Sequence, residues 1–208
     1  MFTPLKRDPY LWTRLGLGGS VKFLYVGRVS LEKNLELLVE AFMALIDSGT
    51  CVNLIIVGDG PYRAEMESKL TGYPVIFTGF LHGEELCAAY ASSDVFVFPS
   101  TTDTFGNVVL EAQASGIPVI VSDSGGPKEL MKDGTTGLIV AAHDSRALID
   151  AMRYFAENLP LIRTMGNEAR HFAEVNCIDE HNAYSTILRS DNGRTGQNEG
   201  SRTVAVPA

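Results

Sequence analysis

The segment from Phe98 to Gly116 reads as a strand end, a loop and a helix, and it carries two carboxylates, Asp103 and Glu111, eight residues apart. That spacing lets the two address different parts of one elongated ligand, Asp103 from the loop at the mouth and Glu111 from about two turns down the helix. A helix opening at the carboxyl edge of a sheet directs its free N–H groups into the crevice, here those of Phe105, Gly106, Asn107 and Val108, and an anion is favoured there. Gly106 permits close approach of a ligand to the backbone. Periodicity assigns Phe105, Val108, Val109 and Ala112 to the buried face of this helix and Thr104, Asn107, Glu111 and Ser115 to a small polar stripe. Spacing alone leaves a second reading open, in which Asp103 is a helix cap and Glu111 a solvated charge.

A second segment, Tyr25 to Leu35, runs from a strand into the first long helix and places Arg28 just past the strand end and Lys33 just before the helix body. Both cations can converge on the same edge. Two positive groups fit a diphosphate, since charge-assisted hydrogen bonds contribute about 1.5 to 3 kcal/mol each. A cation at a helix start is otherwise mildly unfavourable, which favours a ligand-binding role over two solvated charges. The segment is neither a Walker A loop nor a dinucleotide Gly-x-Gly-x-x-Gly turn, so Gly27 marks a plain strand end. Gly58-Asp59-Gly60-Pro61 has Pro at a helix start and reads first as a βα turn. Phe80, with Leu81 and His82, offers a stacking wall for a base, and the paired Gly125 and Gly126 offer backbone access at the sheet edge. His82, His143, His171 and His181 lack ligand spacing and no Asp-x-Asp pair occurs, so no metal site is expected.

These residues need a scaffold that gathers strand ends. Short β-branched runs at Val21–Val26, Val52–Val57, Val75–Thr78, Val95–Phe98, Val119–Val121 and Leu138–Val140 alternate with helical stretches at about 33–47, 61–70, 83–92, 105–115 and 127–132. Two or three further helices fill about 144–189. The fold class is therefore α/β, a Rossmann-like parallel sheet of about six strands with helices on both faces. Residues 1–20 read as the remnant of a linker, 21–190 as the Rossmann-like ligand-binding domain, and 191–208 as a disordered tail too polar and Gly-rich to offset its ordering entropy.

Composition narrows the partners. A net charge of −8 excludes non-specific attraction to nucleic acid as the main driving force, so an anion must be held by a local site. Cys51, Cys87 and Cys177 are too few and too widely spaced for a disulfide framework, and Met1 is not followed by a signal-peptide core. No apolar run approaches the roughly 18 to 20 residues of a membrane span, and a cytoplasmic location is expected.

Taken in order, Gly-Arg-x4-Lys after the first strand, Gly58-Asp59-Gly60-Pro61, the Phe77-Thr78-Gly79 strand end, and Asp103-x7-Glu111 within Thr-Phe-Gly-Asn-Val-Val-Leu-Glu-Ala resemble the C-terminal, donor-binding half of a family 4 (group 1) glycosyltransferase, over about residues 15–185. The resemblance implies a GT-B fold, with two Rossmann-like domains facing a cleft. It implies that Arg28 and Lys33 lie at the donor diphosphate, Glu111 at the ribose hydroxyls and Asp103 at the sugar, with Gly27 also among the donor-binding residues. Backbone N–H groups near Phe105 to Val108 would help hold the donor, and the base would sit by Gly58, Asp59 and Phe80. A nucleoside-diphosphate sugar would be the donor substrate, with no cofactor and no essential metal. The expected reaction retains anomeric configuration, uses the donor phosphate as base, and acts on a glycan or lipid acceptor. The N-terminal acceptor domain would be missing, so this chain alone would be inactive; peripheral membrane contact would come through the full-length protein. Two alternatives remain, a nucleotide-sugar 2-epimerase of the same fold and a non-catalytic nucleotide-binding module. One position departs from the family's usual Glu-x7-Glu: its first carboxylate is here Asp103, one methylene shorter.

Overall fold

The computed structural model describes residues 1–18 and 21–177. Six strands, β1 (Val21–Val26), β2 (Val52–Val57), β3 (Val75–Gly79), β4 (Val95–Phe98), β5 (Val119–Ser122) and β6 (Gly137–Val140), form one parallel sheet in the order β3-β2-β1-β4-β5-β6. Every residue of β2, β4 and β5 is buried, so these strands read as continuous apolar runs without alternation, as a parallel sheet covered on both faces requires. The buried polar exception in β2, Asn53, donates its side-chain N–H to the Gly18 carbonyl at 3.2 Å.

The helices are α1 (Leu11–Arg14), α2 (Leu35–Asp47), α3 (Arg63–Lys69), α4 (Gly83–Ala91), α5 (Asn107–Ala114), α6 (Ser145–Glu157) and α7 (Leu159–Cys177). Helix α2 packs with α3 and α6, and α5 packs with α4 and α7, which gives two helical layers around the sheet. In α2 the apolar positions Leu35, Leu38, Val39, Phe42 and Leu45 follow the helical period and bury the stripe that faces the sheet. Winding reverses between β1 and β4, and their carboxyl ends open the crevice expected at such a switch point.

Two element boundaries differ from the periodicity reading. The stretch from residue 33 does not run continuously into α2, because Asn34 adopts φ 56° and separates a 3-10 turn, Leu31–Lys33, from the helix. The stretch from 127 is a 3-10 turn, Pro127–Leu130, rather than an α-helix. Residues 1–18, expected from sequence to be linker, pack on the sheet domain. Trp12 is buried, and the Arg7 guanidinium donates to the carbonyls of Ala91 and Ser93, both at 3.3 Å, and to Asp94 at 2.9 Å. The expected tail, 191–208, lies outside the described residues, as do 178–190. No helix among the described residues is long and apolar enough to cross a membrane.

Candidate active site

The loops at the carboxyl ends of β1 and β4 are joined across the switch point. The Lys33 ammonium lies 2.8 Å from Asp103 Oδ1 and 2.9 Å from Oδ2, the Asn34 side chain donates to the Pro99 carbonyl at 3.3 Å, and the Thr102 hydroxyl donates to the Glu32 carbonyl at 3.3 Å. The Ser100 hydroxyl donates to Asp103 Oδ2. Asp103 is therefore not a helix cap. The cap of α5 is Gly106, without a side-chain bond, and Asp103 instead pairs with Lys33.

The backbone of Asp103 is fixed from a third loop. The Gly126 N–H donates to the Asp103 carbonyl at 2.9 Å, and a Cβ on Gly126 would stand 2.0 Å from the Thr104 carbonyl oxygen. Gly125 and Gly126, expected to give a ligand access, are thus used for close packing of one loop on another. Gly58 is used in the same way, since a Cβ there would meet the Gly27 carbonyl oxygen at 2.0 Å.

Helix α5 starts at Asn107, two residues later than its periodicity suggests, and this turns Phe105 outward. Phe105 is 70% exposed and does not belong to the buried face; Val109 and Ala112 do, with Val108 half-buried. In the first turn the Val109 N–H donates to the Gly106 carbonyl at 2.7 Å, which leaves the N–H groups of Asn107 and Val108 without an intrahelical acceptor. Arg28 is exposed just past β1, on a turn whose carbonyl accepts from the buried Tyr25 hydroxyl at 2.9 Å.

Glu111 is half-buried. Its Oε2 accepts a hydrogen bond of 2.9 Å from the Tyr90 hydroxyl on α4, and Oε1 has no partner among the described residues. Burial raises the Glu111 carboxyl above the ordinary range for Glu, and the Tyr90 hydrogen bond works in the opposite direction. Burial likewise pushes the Tyr90 phenol well above its usual value, so Tyr90 remains a neutral donor.

Beyond Arg28 the loops after β1, β2 and β3 shape the rest of the crevice. Arg28, Asp59, Gly60, Pro61 and Phe80 line an open concavity of about 490 Å³, and an adjoining apolar slot of about 200 Å³ reaches Val26, Val57, Leu81 and Leu86. Phe80 is 66% exposed and stacks with His82 at a centroid distance of 6.4 Å. Asp59 is turned to its own loop, accepting from the Gly60 N–H at 2.7 Å and from Arg63 at 3.2 Å. A larger cavity, about 710 Å³, lies at the opposite edge of the sheet. Of its three lining cations, Arg7, Lys22 and Arg163, the first two are paired with Asp94. No group of three or more His, Cys, Asp or Glu side chains suited to a metal ion occurs among the described residues.

The structure thus pairs Lys33 with Asp103 across the crevice, with Arg28 just past β1 and the start of α5 at the same edge of the sheet, while Glu111, one turn into α5, is held by Tyr90. Ser100 and Tyr90 were not singled out by the sequence. Ser100 follows a strand end three residues before Asp103 and was findable by that proximity; no spacing links residue 90 to residue 111.

Residues 20–158 match the family model of glycosyl transferases group 1. The chain belongs to that family. Among its relatives, the sulfoquinovosyl transferase of Arabidopsis thaliana is 36% identical over 178 residues, covering 83% of this chain and 34% of the relative. A GDP-mannose-dependent alpha-mannosyltransferase of Mycolicibacterium smegmatis is 42% identical over 139 residues, 67% of this chain and 35% of the relative. The chain therefore spans about a third of the length of the curated relatives it matches. The fold is that of one half of a GT-B enzyme: Anabaena HepE, solved in complex with UDP and glucose, superposes with a TM-score of 0.73 at 24% identity, over 84% of this chain and 50% of that one.

Proposed function

We propose that this group 1 glycosyl transferase chain forms the donor-binding wall of a retaining enzyme that takes a hexose from a nucleoside-diphosphate sugar. The observation that carries the reading is the pairing of Lys33 with Asp103 across the switch-point crevice, with Arg28 just past β1 and the start of α5, the helix that bears Glu111, at the same edge. The diphosphate lies against Arg28, Lys33 and the first-turn N–H groups near Phe105 to Val108. The ribose diol donates to Glu111, the base enters the apolar slot beside Gly27, Gly58 and Phe80, and the sugar reaches Asp103. Support from relatives is of the same kind: one is named for GDP-mannose, and a structural neighbour holds UDP.

In the proposed reaction the bond from the anomeric carbon to the diphosphate oxygen breaks and its electron pair leaves with the diphosphate. The acceptor hydroxyl oxygen forms the new bond on the same face, and its proton passes to a donor phosphate oxygen. Fixed positive groups aimed at the departing oxygens stabilise the charge that develops there. The acceptor is held by a second domain, so this wall alone binds donor without turning it over.

Titration calorimetry with GDP, UDP and the free nucleosides tests the reading. Diphosphate binding in about the micromolar to millimolar range, with the nucleosides weaker, is expected of one wall of a two-walled site. Absence of binding by both diphosphates would sink it.

A further inference from the structure

Resting on the assignment of Glu111 to the ribose, we infer that Tyr90 is a positioning residue for donor recognition: its buried hydroxyl fixes one oxygen of the Glu111 carboxylate so that the other faces the ribose diol. Tyr90 lies on α4, outside every loop that forms the crevice, and is fully buried. Its ring is held from two sides. Phe2 meets it edge-on at 5.3 Å between centroids and 90° between planes, and Phe96 of β4 meets it at 5.7 Å and 44°. The hydroxyl so placed donates to Glu111 Oε2 at 2.9 Å.

The chemistry explains why a tyrosine is useful there. A glutamate has three side-chain torsions, and on a helix surface it would sample several rotamers, each presenting its oxygens differently. A neutral donor on a rigid ring selects one of them. A carboxylate has about four acceptor sites, so one bond from Tyr90 leaves enough for two vicinal hydroxyls. The same donor favours the ionised carboxylate, the form that accepts from hydroxyls, against the burial that opposes it. A phenylalanine at this position would keep the ring contacts and lose both effects.

The test compares GDP and UDP with their 2′,3′-dideoxy forms, by calorimetry, on the parent chain, Tyr90→Phe, Glu111→Ala and the double variant. The parent is expected to prefer the ribose forms. Tyr90→Phe should reduce that preference about three- to tenfold at unchanged binding of the dideoxy forms. In the Glu111→Ala background the same substitution should leave the ratio unchanged, an outcome that loosened packing alone would not produce. Phe2→Ala, which disturbs the packing of Tyr90 but keeps both hydrogen-bonding groups, should change the ratio less than Tyr90→Phe does. A parent that prefers the ribose form and a Tyr90→Phe variant that prefers it equally would overturn the role of Tyr90. A parent with no preference would overturn the ribose assignment itself, and this inference with it.

Discussion

The ammonium of Lys33 and the carboxylate of Asp103, 70 residues apart in the chain, form a two-point ion pair at 2.8 and 2.9 Å across the crevice between β1 and β4. Both side chains are about one-fifth exposed, at 18% and 22%. The pair joins the group proposed for the diphosphate to the group proposed for the sugar. A bound diphosphate must therefore compete with Asp103 for Lys33.

Asp103→Asn removes that competitor. Nucleoside diphosphate should bind about two- to fivefold more tightly, the equivalent of roughly 0.5 to 1 kcal/mol for a partly exposed pair. The nucleotide sugar should gain less or lose, because the sugar contact goes at the same time. Calorimetry with both ligands checks this, and equal weakening of both would reassign Asp103 to loop organisation.

Arg28→Ala and Lys33→Ala separate a surface cation from a structural one. Each should cost about 1.5 to 3 kcal/mol in diphosphate binding. Arg28 is exposed, so its variant should melt with the parent, whereas Lys33→Ala leaves Asp103 with Ser100 alone and should lower Tm modestly. Unchanged diphosphate affinity in both variants would return the two cations to the solvated surface.

The raised carboxyl of Glu111 predicts a pH dependence of definite sign. A buried acid whose folded pKa lies above its unfolded value holds its proton more tightly when folded, so it contributes stability at low pH. That contribution is lost as pH rises through the raised value. Glu111→Gln should therefore match the parent near pH 4 and melt higher than the parent at pH 7. Ribose-dependent nucleotide binding in the parent should fall as pH drops through the same range, since the ionised form accepts the hydroxyls. Thermal melts and titrations across pH 4 to 8 read both; parallel melting curves for parent and variant would contradict the sign.

Gly126→Ala tests the loop contact under Asp103. Its Cβ would meet the Thr104 carbonyl oxygen at 2.0 Å, and forcing the loops apart should cost about 1 to 3 kcal/mol. At this chain length that is a fall of several degrees in Tm. Gly18→Ala, with nothing within 4 Å of the added methyl, is the control. Equal melting of the two variants would mean that the loop yields freely.

The fold was legible because the six strands are mostly apolar, β-branched runs, broken by single polar residues such as Lys22 and Asn53 and punctuated by turn residues. The start of α5 was less so. Phe105 looks like the first member of an apolar stripe, and only the position of the Gly106 cap shows that the helix has not begun there. Arg28, Lys33, Asp103 and Glu111 could be named from sequence because each stands at a strand end or on the helix that follows. Tyr90 could not, because its partner lies on another helix and the contact depends on how α4 and α5 pack. Nor could the pairing of Lys33 with Asp103, which is set by the reversal of winding at the centre of the sheet.

Helix α5 is tied down at the end far from the ligand crevice. Arg170 of α7 donates to the Ala114 carbonyl at 2.5 Å and to the Phe2 carbonyl at 3.1 Å, and the Gln113 side chain donates to the Leu130 carbonyl at 2.7 Å. With its tail anchored and its inner face in the core, this helix should be among the slowest segments to exchange its amide hydrogens, before ligand arrives as well as after. The floor proposed for the diphosphate would then lose little entropy on donor binding, and adjustment to different donors would fall to the exposed rings of Phe80 and Phe105.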